Sequence, residues 1–135
     1  MKPEEMKAVL VNRNIEKSDE SVKAAELLIE GKLLFRALNS IYYACFFIVS
    51  ALALKYGFST SKHQGLLNWF NKKFVNDDKI FDKEMFHVYR VTFKYRQQAD
   101  YDIEYIPTLE ETIEQFEKAK IFIETVKRHL EEYNH

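Results

Sequence analysis

Between Leu33 and Tyr56 the chain reads LLFRALNSIYYACFFIVSALALKY, without one acidic residue, glycine or proline. Nothing in this stretch forces a break in a helix. From Ile41 to Leu54 nearly every residue is apolar, Ser50 being the clearest exception. A helix that is apolar on almost all sides leaves no face for water, so other elements must surround it. At about 1.5 Å per residue it spans on the order of 36 Å, the diameter of a small domain. The dense apolar core of the run is too short, and too interrupted by tyrosines and serine, for a bilayer span; it reads as a buried core helix. No membrane association is expected.

A central helix needs neighbours, and the flanking sequence supplies them. Residues 3–30 carry Val11, Ile15, Ser18, Val22, Ala25 and Leu28/Ile29 at three- and four-residue steps, one apolar stripe of a long first helix. Pro3 followed by Glu4 and Glu5 suits a helix start, Gly31 a stop, and a break near Asn12–Asn14 is allowed. Gly57 closes the central helix. Ser61-Lys62-His63-Gln64 has capping-box spacing and opens a shorter third helix with Leu66, Leu67, Phe70 and Phe74 on one face. A loop is expected from Val75 to Ile80. Asp82 is placed to cap a fourth helix reaching about Gln98, with Phe81 and Phe86 spaced as a hydrophobic staple. After the irregular ADYDIEYIP, Thr108-Leu109-Glu110-Glu111 forms a second capping box. A fifth helix then runs to about Tyr133 on a stripe of Leu109, Ile113, Phe116, Ala119, Ile123, Val126 and Leu130. The expectation is all-α: an antiparallel up-and-down bundle of about five helices forming a single domain over residues 1–135.

The lone Cys45 excludes an intramolecular disulfide, and its place in the central helix reads as a buried small apolar residue. The N-terminus lacks the apolar region of a signal peptide, and a cytoplasmic location is expected. Residues 31–76 hold six bases (Lys32, Arg36, Lys55, Lys62, Lys72 and Lys73) and no acid, although the whole chain has a net charge of −1. Those near 55–73 could form a local anion-attracting patch.

Known catalytic spacings are absent: there is no glycine-rich phosphate loop, no H-E-x-x-H, no paired cysteines and no G-x-S-x-G. The histidines at 63, 87, 129 and 135 stand in no metal-ligand spacing, so neither metal nor cofactor is expected. Three polar groups interrupt the apolar pattern: Asn39, Tyr42 and Tyr43 on the central helix; Lys62 and His63 at the third; Arg96, Asp100, Tyr101 and Asp102 at the end of the fourth. Each alone has a plain reading. Tyrosine rings fill cores, Arg96 can pair with Asp100 across one helical turn, and Lys62 and His63 can simply be solvated.

Together, the segments RALNSIYYACFF, SKHQG, FVNDDKIFDKE and YRQQADYD resemble the HEPN family (higher eukaryotes and prokaryotes nucleotide-binding domain). The resemblance covers about residues 15–130. It implies a four- or five-helix bundle, a homodimer and a partner nucleotidyltransferase, the two proteins forming a toxin–antitoxin-like pair. Many HEPN domains are metal-independent RNases whose motif is an arginine followed, after four to six residues, by a histidine. Arg96 matches the arginine, but four intervening residues lead to Tyr101. Histidine titrates near neutrality and tyrosine near pH 10, so Tyr101 is a poor proton acceptor in its place. The resemblance thus implies a module binding nucleotide, RNA or a partner protein, with little or no catalysis. The ligand-binding candidates are Lys62, Arg96, Asp100, Tyr101, Tyr42, Tyr43 and Asn39. Two alternatives stand beside it: an RNase toxin using Arg96 with His63 or Tyr101, and a structural dimerisation module. At least one tyrosine hydroxyl of the central helix is expected to face Arg96, Asp100 or His63.

Overall fold

The computed structural model describes residues 1–133. Its elements are α1 (Pro3–Glu30), α2 (Leu34–Lys55), α3 (His63–Phe70) continued without a break by a π-helical segment (Asn71–Asp77), α4 (Lys83–Tyr101) and α5 (Leu109–Tyr133). Among the described residues there is no strand. The fold is an all-α helical bundle.

α2 is its axis. By length and composition this helix could cross a membrane, but here it packs against α1, α3, α4 and α5. Eleven of its residues are buried, from Ala37 to Ala53. Each fully buried aliphatic side chain contributes about 1.5–3 kcal/mol, so the burial of α2 drives much of the assembly. α1 lies along it on the stripe read from the sequence, with Val11, Ser18 and Ala25 buried and no break at Asn12–Asn14. The Ser18 hydroxyl donates to the Ala44 carbonyl at 2.7 Å and ties the two helices near their middles. Phe122 of α5 meets Phe70 of α3 and Tyr89 of α4, closing the core on the other side.

The turns between helices depart from the sequence reading in instructive ways. α1 ends in a Schellman arrangement, with Leu33 N–H bonded to Leu28 O and Lys32 N–H to Ile29 O. The left-handed residue there is Lys32 (φ 58°), not Gly31 (φ −81°). α2 ends the same way, and here Gly57 itself takes the left-handed position at φ 74°. The capping box expected at Ser61–Gln64 is not formed. Lys62 is the N-cap and makes no side-chain cap; instead its N–H donates to Thr60 Oγ1 at 3.2 Å. The loop expected from Val75 is helical to Asp77, its wider turns keeping Phe74 and Val75 buried. Asp82 caps α4 as expected, accepting from Met85 N–H at 3.1 Å. α4 continues to Tyr101, about three residues beyond the expected end. Thr108 Oγ1 accepts from Glu111 N–H, as its spacing foretold. The α5 stripe begins differently, because Leu109 and Ile113 are substantially exposed and Thr112 is buried in their place.

Candidate functional site

Tyr42 and Tyr43 are consecutive on α2, so they diverge by about 100° around the helix. Tyr42 is fully buried and Tyr43 half-buried. Their rings meet edge to face, 5.2 Å between centroids. This pair is the platform of the site, because side chains from two other helices converge on it. From α4, the Arg96 guanidinium carbon lies 5.6 Å from the centroid of each tyrosine ring, in cation–π range. From the start of α3, the His63 ring lies 5.7 Å from Tyr42 and 5.8 Å from Tyr43. The expected hydroxyl contact is present: Tyr42 Oη and His63 Nδ1 are 2.6 Å apart.

Phe46, one turn along α2 from Tyr42, stacks on the histidine at 4.4 Å and 13° and touches both tyrosine rings as well. Sequence reasoning missed Phe46. Its spacing of four from Tyr42 was the available signal, indistinguishable in sequence from ordinary core packing. Gly65 was likewise read only as a weak point of α3. A Cβ there would stand 2.7 Å from Thr60 Oγ1, so the glycine lets the preceding loop lie against the first turn and hold His63 in place.

The electrostatics follow from this packing. Burial, reinforced by the nearby Arg96 charge, lowers the His63 pKa below its ordinary value and favours a neutral imidazole. Burial raises the Tyr42 phenol well above its usual range, so it keeps its proton. Arg96 Nε lies 3.0 Å from Asp100 Oδ2, the pair expected across one turn of α4. The carboxylate sits off the N–H axis, leaving that buried N–H without a hydrogen bond; the contact is one of charge alone.

The remaining candidates are placed less centrally. Asn39 is half-buried one turn before Tyr42. Lys62 is exposed and adjoins His63. Tyr101 is 78% exposed at the last turn of α4 and makes no ring contact with Tyr42, Tyr43 or His63. The basic stretch is partly neutralised, Lys72 pairing with Asp77 and Lys73 with Asp78, each at 2.9 Å. Cys45 is buried and its thiol is pushed up to about 12 by desolvation, which keeps it inert at neutral pH. No group of three or more His, Cys, Asp or Glu side chains suited to a metal occurs among the described residues.

A helical bundle with this polar cluster on its central helix is matched by the HEPN domain family model over residues 11–129. The chain belongs to the HEPN family. Among its relatives is a UPF0332 protein of Thermotoga maritima, 38% identical over 84% of this chain and 85% of the relative. Two proteins of Methanocaldococcus jannaschii, named "Putative toxin MJ0142" and "Putative toxin MJ0605", are 34% and 33% identical. They align over 86% and 87% of this chain and 78% and 87% of their own lengths. In this HEPN domain the fourth-helix arginine is therefore joined by a histidine from the third helix, not by one further along its own.

Proposed function

We propose that this HEPN domain binds the phosphate of a nucleotide or RNA, with little or no catalysis, as half of a toxin–antitoxin-like pair. Its partner in that pair would be a nucleotidyltransferase, as the HEPN resemblance implies, and the toxin names carried by two relatives agree with such a role. The chain would act as a single domain, as a homodimer and in the cytoplasm. The observation that carries the reading is the convergence of Arg96 and His63 on the Tyr42–Tyr43 pair. Arginine's planar fork suits phosphate oxygens, and exposed Lys62 adds a point charge beside it. Asp100 would orient Arg96, Asn39 would supply an amide beside the pair, and exposed Tyr101 could stack on a base.

Titration with short RNA at two salt concentrations tests this. Arg96→Ala is expected to weaken binding about ten- to hundredfold, the scale of one charge-assisted hydrogen bond set. The affinity of the unaltered protein should fall with added salt. Binding indifferent to both would overturn the phosphate role and leave the dimerisation-module reading.

The placement of His63 beside Arg96 favours a second reading, a metal-independent RNase in which His63 handles protons and Arg96 steadies the phosphate. Tyr101 is the less suited proton carrier because it stands apart at the exposed end of α4. Incubation with RNA in chelator decides: cleavage abolished by His63→Ala supports this reading, and no cleavage removes it.

A further inference from the structure

Resting on the phosphate-binding reading above, we infer that Tyr42 is a positioning residue: its hydroxyl donates to His63 Nδ1 and holds the imidazole as the Nε2–H tautomer, a hydrogen-bond donor aimed out of the core beside Arg96. The ligand feature this arrangement takes is a phosphoryl oxygen, received by Nε2–H and the guanidinium together.

The direction of the 2.6 Å hydrogen bond decides the tautomer. A phenol has one hydrogen and a neutral imidazole has one N–H and one lone pair. The Tyr42 ring is fully buried, and His63 Nδ1 is the sole hydrogen-bond partner of its hydroxyl among the described residues. If Nδ1 carried the proton, the phenolic hydrogen would be left in the core with no acceptor, a loss that folded proteins avoid. With the phenol as donor, every hydrogen is used and the imidazole proton must sit on Nε2. The lowered basicity of His63 and the retained phenolic proton agree with this assignment.

The imidazole is also held in place. Phe46 stacks on the ring at 4.4 Å, the tyrosine pair packs beside both, and the loop hydroxyl of Thr60 closes on the helix turn that carries it. Nε2 has no protein partner among the described residues and is not among the buried polar atoms left unsatisfied, so it opens toward solvent. An N–H and a guanidinium resting on the same two rings present two donors, with Asp100 paired to Arg96. The arrangement also bears on the cleavage reading: in the resting protein His63 is set as a donor, and its lone pair is occupied by Tyr42.

The experiment is long-range 1H–15N correlation spectroscopy of His63 at neutral pH in the full chain and in Tyr42→Phe, each titrated with inorganic phosphate. The unaltered protein is expected to show a protonated, pyrrole-type Nε2 and an unprotonated Nδ1. Tyr42→Phe keeps the ring stack and removes only the donor, so both tautomers should become populated and phosphate affinity should fall ~3–10-fold, the worth of one net hydrogen bond. A thermal melt of Tyr42→Phe confirms that the bundle is intact, and Tyr43→Phe, which leaves the bond untouched, should keep the single tautomer. A protonated Nδ1 in the unaltered protein, or a tautomer unchanged by Tyr42→Phe, would overturn the positioning role. A correct tautomer whose Nε2 is unmoved by phosphate would uphold the positioning role and overturn the phosphate-binding reading instead.

Discussion

At the scale of single residues, two histidines are built into the aromatic core in the same manner. His63 is bonded to Tyr42 and stacked on Phe46. His129 of α5 accepts or donates a 2.7 Å hydrogen bond with Tyr56 and lies among the rings of Phe74 and Phe81. Burial lowers both pKa values; Arg96 adds to the effect at His63, and Glu132 partly opposes it at His129. The unfolded chain takes up these protons near pH 6.5, whereas the folded chain takes them up only at lower pH. Between the two, the unfolded state binds more protons, so folding weakens as pH falls. The stabilisation is complete above about pH 6.5. Urea midpoints are therefore expected to drop from pH 8 to pH 5.5, and the drop should shrink in His129→Gln and His63→Gln. A profile that is flat, or that falls toward alkaline pH, would show that these rings are not held neutral. Tyr89 behaves differently: its buried hydroxyl has no partner among the described residues, a situation that ordinarily costs about 1–3 kcal/mol.

At the scale of elements, α3 shows how a local rule can be overruled. Alanine exceeds glycine in helix propensity by about 0.8–1.0 kcal/mol, so Gly65→Ala would stabilise an isolated helix. In this bundle the added Cβ meets Thr60 Oγ1 at 2.7 Å, and that oxygen is already engaged by the Lys62 N–H. Gly65→Ala should therefore gain little or lose stability in the native background and gain roughly 1 kcal/mol in Thr60→Ala. A double-mutant cycle by chemical denaturation measures the coupling; additive effects would mean that the loop does not bear on the helix. The same loop contact explains why the serine-led capping box failed. Thr60, one residue earlier, supplies the oxygen near the helix start, and the chain turns into α3 through Lys62.

At the scale of the whole molecule, large exposed apolar side chains occur in the connection from α4 to α5 and at the start of α2. Tyr101 is 78%, Ile103 99% and Ile106 78% exposed in the connection from α4 to α5. Leu33 and Phe35, at the start of α2, are 58% and 49% exposed. α4 runs antiparallel to α2, since Arg96 lies against Tyr42 and Tyr43 while Thr92, one turn earlier, meets Cys45 further along α2, and so brings its C-terminal end toward the start of α2. Clustered exposed apolar side chains of this kind mark contact surfaces. The proposed homodimer should therefore use this end. Sedimentation at micromolar concentration is expected to give a dimer, and Ile103→Asp with Ile106→Asp to give a folded monomer. A monomer in the unaltered protein would remove the homodimer.

How much of this was legible beforehand depends on distance along the chain. The five helices, the central place of Leu33–Tyr56, the Asp82 cap and the Arg96–Asp100 pair were all readable, because each is set by residues within a turn or two of one another. The resemblance led to the expectation that a central-helix tyrosine faces Arg96, Asp100 or His63, but local sequence did not say which tyrosine or which partner. Tyr42 and His63 are 21 positions apart, and nothing local says that α3 turns its first residue back onto α2. Packing also decided the details that local rules misjudged: Thr112 replaced Leu109 and Ile113 at the core, and the left-handed turn fell on Lys32. By itself the sequence determined which segments are helices and which of them is surrounded, since periodicity and the absence of breakers are local properties. Only the tertiary structure decided that a histidine and an arginine from different helices share one pair of tyrosine rings, because that meeting depends on how the helices cross.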